Sequence, residues 1–77
     1  MKALIEFIAR SLVEHTEEIN VQEHRSGNRI TLELRVAKED MGRIIGRNGR
    51  VVNAIRTLLR VTAERENLRV TLDVIEP

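Results

Sequence analysis

Cysteine, tryptophan and tyrosine are absent from these 77 residues, and Phe7 is the only aromatic ring. Without cysteine there is neither a disulfide framework nor a thiolate metal site, so the core must be aliphatic. A single ring also argues against modules that stack successive bases on exposed aromatics, such as RNA-recognition-motif sheets and typical single-strand-binding barrels. Long apolar runs are missing as well. Ala3-Leu4-Ile5 is interrupted by Glu6, no small-residue cleavage site follows, and no stretch approaches membrane-spanning length. The expectation is a cytoplasmic setting with no membrane partner. Residues 1–77 are expected to form a single small domain, near the size at which one core supplies only about 3 to 5 kcal/mol, which leaves room for stabilisation by self-association.

Strong charge of one sign is also lacking. Thirteen lysines and arginines face twelve acids, for a net charge of +1. The distribution is uneven, however: Met41 to Ala63 contains Arg43, Arg47, Arg50, Arg56 and Arg60 and no acid. A local basic surface on a nearly neutral chain favours a modest, salt-sensitive nucleic-acid contact over indiscriminate coating. Catalytic constellations are not evident. His15 and His24 have no nucleophile or metal-ligand partner at informative spacing, Glu17-Glu18 and Glu39-Asp40 are merely adjacent acids, and no Walker-type lysine follows a glycine turn. The reading is of a non-enzyme without a metal or cofactor.

Hydrophobic periodicity sets out the elements. Residues 3–15 place Leu4, Ile5, Ile8 and Leu12 on one helical face, with Glu6, Arg10 and Glu14 four apart on another. Ile19 and Val21 open a short strand reaching about Arg25. Ser26-Gly27-Asn28 reads as a turn, and Ile30, Leu32, Leu34 and Val36 then alternate with polar residues as a half-buried strand. Lys38 to Ile45 reads as a short helix. Beyond a glycine turn, Val51, Ile55, Leu58, Leu59 and Thr62 are expected to form the inward stripe of a longer helix ending near Arg65 or Glu66. Leu68, Val70, Leu72 and Val74 mark a final strand. The order α-β-β-α-α-β predicts a two-layer α+β domain, with helices covering one face of a three-stranded mixed sheet and a right-handed crossover making the last two strands parallel.

The segment Gly42 to Ile55 organises this order. Gly46 stands where a helix must end, and glycine adopts the required left-handed backbone at least cost. Gly49 stands before the next helix, where a missing side chain permits close backbone approach. Amides opening that helix lack internal acceptors and carry the positive end of its dipole. Arg43, Arg47 and Arg50 surround the turn, and guanidinium forks suit phosphate oxygens. Arg56 and Arg60, one turn apart, read first as a solvated face and second as an extension of this basic track.

The run Ile44-Ile45-Gly46-Arg47-Asn48-Gly49-Arg50, followed by Ala54-Ile55-Arg56-Thr57-Leu58-Leu59, resembles the signature of KH domains. The element order resembles their type II form, and the whole chain is similar to the small bacterial single-KH proteins of the KhpA type. A bare G-x-x-G is a weak motif, but its position between two helices in this succession makes it informative. The resemblance implies an RNA-binding protein of the RNA-chaperone kind. It also implies self-association, a larger KH-containing RNA-binding partner, and a link to cell-envelope and cell-length control. KH folds clamp about four nucleotides of single strand through the glycine turn. By position, Gly46 and Gly49 would admit the backbone and Arg47 and Asn48 would reach phosphate or sugar oxygens. Arg43 and Arg50 would add charge, and Ile44, Ile45 and Val52 would either line an apolar groove or simply belong to the core. Neutralising about three phosphates predicts a log-affinity against log-salt slope near roughly −2. The competing reading keeps the KH fold as a dimerisation or docking module without RNA, since fold alone does not fix function.

Overall fold

Ile30, Leu32 and Leu34 alternate inward along the central strand, and the other elements are arranged about them. In the computed structural model, which describes residues 1–77, helix α1 (Lys2–Leu12) precedes strands β1 (Asn20–Ser26) and β2 (Arg29–Arg35). Helices α2 (Met41–Ile45) and α3 (Arg50–Glu64) follow, and strand β3 (Arg69–Val74) completes the order. Short 3₁₀ turns at Thr16–Glu18, Lys38–Asp40 and Arg47–Gly49 join them.

The sheet runs β1-β2-β3, with β1 antiparallel and β3 parallel to β2. Gly27 supplies the positive φ (60°) in a two-residue hairpin loop, where a side chain would be disfavoured. Val21 lies opposite Leu34, and Leu32 is level with Leu72, so one face of all three strands feeds one core. Ile5 and Ala9 of α1, Ile44 of α2, and Val52, Ile55 and Leu59 of α3 close over it. The predicted two-layer α+β fold with a mixed sheet is therefore what the chain adopts.

Three local expectations are corrected. Helix α1 stops at Leu12, three residues early, because the amides of Glu14 and His15 bond to the Asp40 carboxylate at 3.1 and 3.0 Å instead of continuing the helix. Arg10 and Glu14 therefore do not share a helical face, and Glu14 turns to Arg43. Along α3 the buried stripe is Val52, Ile55, Leu59 and Ala63, so Val51 and Thr62 are only half-buried and Leu58 is 57% exposed. The final helix ends through an Asn67 in the left-handed region (φ 57°). There Leu68 N–H donates to Ala63 and Asn67 N–H to Glu64, the pairing that satisfies orphan carbonyls at a helix C-terminus.

Candidate nucleic-acid interface

The turn between α2 and α3 is built by backbone conformations that few residues other than glycine accept. Gly46 has φ 75° and ψ 173°, and a Cβ there would lie 2.4 Å from Val51 Cγ2 and 2.8 Å from the Val51 amide nitrogen. Asn48 (φ 56°, ψ 27°) and Gly49 (φ 75°, ψ 13°) are successive left-handed residues. At Gly49 a Cβ would meet nothing nearer than Asn53 Nδ2 at 3.7 Å. Close approach within the fold thus belongs to Gly46, whereas Gly49 is required by its φ and leaves open space above it.

Some amides of the turn are spent within it. Gly46 N–H donates to Gly42 (2.9 Å), Gly49 N–H to Gly46 (3.2 Å), and Arg50 N–H to Arg47. The amides of Arg47 and Asn48 take no part in these turn bonds. No side chain caps α3, so the positive end of its dipole is left to solvent or a ligand.

The side chains divide into two groups. Arg47, Asn48 and Arg50 are exposed, and Gly46, Gly49 and Ile45 are half-buried at the same surface. Neither Arg47 nor Arg50 enters an ion pair; those present involve His15, His24, Arg43 and Arg60. Ile44 has no exposed surface, and Val52 is buried in the core. Of the two alternatives read for Ile44, groove lining or core, its burial fits the core, where its side chain anchors α2. Arg43 remains 53% exposed while its guanidinium is engaged by Glu14 and lies 3.7 Å from Asp40.

Asp40 was not singled out by sequence reasoning, which saw only an acid in a helical first turn. It is 1% exposed. Burial alone would raise its carboxyl, but the two amide donors, with the charges of His15 and Arg43, outweigh that and hold it below the ordinary aspartate value. Asp40 therefore ties the end of α1 to the start of α2.

A cleft lies between α3 and the edge strand β3. Its wall includes Arg56, Leu59, Arg60, Val70 and Leu72, enclosing about 230 Å³. Arg56 crosses it and donates from Nε and Nη2 to the Leu72 carbonyl at 3.2 and 3.0 Å, so this arginine shields an unpaired strand edge. Arg60 is freer, 66% exposed and 3.9 Å from Glu64. Elsewhere, ligand atoms of His15, Glu17 and Glu18 lie within 4.8 Å of one another. They sit at the surface, with the imidazole nitrogens already facing Glu17 and Glu39 at 3.6 and 3.7 Å. No helix is long and apolar enough to cross a membrane.

The family model described as "KhpA/KhpB, KH domain" matches residues 2–74. The chain belongs to this family. Among KhpA relatives, the RNA-binding protein KhpA of Clostridium acetobutylicum is 48% identical over 75 residues, covering 97% of this chain and 100% of that protein. The protein of the same name from Chlamydia muridarum is 45% identical, covering 99% and 97%. The one from Borreliella burgdorferi is also 45% identical, covering 95% and 89%. No solved structure matches the chain. The KH family resemblance read from the glycine turn and element order is thus shown across nearly the whole chain.

Proposed function

We propose that this chain is a single KH domain that binds single-stranded RNA by its backbone at the Gly46 to Gly49 turn. The observation that carries the reading is the pair of unpaired, exposed arginines, Arg47 and Arg50, on either side of two left-handed residues at the uncapped start of α3. Gly49 leaves room for a sugar-phosphate chain. The Arg47 and Asn48 amides and the two guanidiniums supply donors, and Ile45 offers apolar surface beside them. The relatives' name, RNA-binding protein KhpA, gives the same substrate class. A contact this short suits rapid capture and release, in keeping with the RNA-chaperone role implied by family resemblance. Exposed Leu58 and Val61 favour an additional self-association surface.

The test is the double variant Arg47→Asp with Asn48→Asp. Both positions are exposed, and aspartate tolerates the left-handed backbone at position 48. Titration with an unpaired oligonucleotide is expected to lose at least about tenfold in affinity, with the fold unchanged by circular dichroism. With Arg43, Arg47 and Arg50 neutralising about three phosphates, the wild-type salt slope is expected near roughly −2. Undiminished binding by the folded double variant would remove the clamp.

A further inference from the structure

The arginines of the glycine turn are not the only unpaired ones. Arg29 and Arg69 lie level on the adjacent parallel strands β2 and β3, on the sheet face that the helices leave bare. Neither forms an ion pair, and both are exposed. Like charges side by side on neighbouring strands are destabilising. No ion pair within the chain offsets the two, so an anion from outside would be stabilised beside them.

The two residues also border a cavity of about 840 Å³ between the hairpin loop, the end of α3 and the start of β3. Arg60 lines it too, with Asn28 and Asn67 adding amide groups, and Glu64 is the only carboxylate on its wall. Three cations against one anion give the wall an excess of two positive charges. The cavity shares Arg60, Val70 and Thr71 with the smaller cleft that begins nearer the turn. The two together run along α3 and β3 from Arg56 past Arg60 to Arg69 and Arg29. From Arg50 to Glu64, the 15 residues of α3 cover roughly 22 Å. That exceeds the reach of a contact confined to the glycine turn.

We infer that Arg29, Arg60 and Arg69 form a second anion subsite, which holds phosphates of the same RNA strand after it leaves the glycine turn. This rests on the RNA-clamp reading above and extends the contact beyond the roughly four nucleotides of a KH clamp. RNA and not an acidic peptide is the occupant because the subsite lies along α3, the helix whose N-terminus carries the phosphate-facing turn.

The experiment compares an oligouridine tetranucleotide with an octanucleotide on the wild type and on Arg29→Gln/Arg69→Gln. Affinity alone is insufficient, because a longer oligonucleotide offers the turn more registers. Register multiplicity leaves the salt slope unchanged, so the slope decides. For the wild type the octanucleotide slope is expected to exceed the tetranucleotide slope by about 2, since three arginines are added at about 0.7 each. The double variant is expected to lose about 1.4 of that increment and about tenfold of octanucleotide affinity, while its tetranucleotide binding and slope stay as in wild type. Its thermal stability should be unchanged or raised, as removal of a like-charge pair requires. Equal wild-type slopes for the two lengths, or a variant that keeps the long-strand slope, would overturn the subsite while leaving the clamp intact. Failure of the wild type to bind the tetranucleotide would instead overturn the clamp reading, and the subsite with it.

Discussion

The two glycines of the turn look equivalent in the sequence, yet they meet different physical demands. Gly46 combines a backbone region essentially restricted to glycine with a Cβ position already occupied by Val51. Strain and overpacking together should cost Gly46→Ala about 2 to 5 kcal/mol. At Gly49 only the left-handed backbone is at issue, because the space above it is open. Alanine there should cost about 1 to 2 kcal/mol, and asparagine less. Denaturant unfolding of the three variants is therefore expected to rank Gly46→Ala far below Gly49→Ala, with Gly49→Asn nearest the wild type. Equal losses at the two alanine variants would contradict the geometry of the turn. RNA affinity should follow another order, since bulk at Gly49 intrudes on the open side where the strand approaches.

Between elements, the junction of α1 with α2 depends on one carboxylate. Asparagine at position 40 could accept from one of the Glu14 and His15 amides but would present an N–H₂ donor to the other. The folded-state pKa of Asp40 is depressed. Its contribution to stability is thus complete above the unfolded aspartate value, about 3.9, and is lost as pH falls through the lower folded value. Melting temperatures of wild type and Asp40→Asn should differ most at neutral pH and draw together as pH falls from about 4 toward the lower folded value. A constant offset across that range would show that the charge is not what matters. This carboxylate also explains why some of the fold was legible in sequence and some was not. Alternation in Ile30, Leu32 and Leu34 reports a strand locally, and Gly46 reports a helix end locally. The early stop of α1 and the pairing of Arg43 depend on Asp40 and Glu14 from distant segments, for which local periodicity carries no signal. On α3 the apolar arc is wider than the fold covers. At roughly 100° per residue, Val51, Ala54, Leu58 and Val61 flank the true core stripe, so a sequence-centred arc is rotated toward solvent.

The unburied part of that arc bears on how the molecule works as a whole. A chain with a radius of gyration of 12.0 Å has little core to spare, yet it leaves Leu58 57% and Val61 45% exposed on one side of α3. On a helix, residues three and four apart share a face, so Ala54, Leu58 and Val61 form one exposed stripe. Such a stripe can pack against its own copy about a two-fold axis, where each residue serves both partners. Two copies would also present two clamps, and a second contact on one strand gains from effective concentration even when each contact is weak. Light scattering over a concentration series is expected to show the wild type passing from monomer toward dimer. Leu58→Asp should remain monomeric with stability within about 0.5 kcal/mol, because the position is outside the core. The same variant should bind a short oligonucleotide as wild type does and lose affinity only for strands long enough to reach both clamps. A wild type that stays monomeric at its solubility limit would leave Leu58 without this role and would place the whole RNA contact on a single copy.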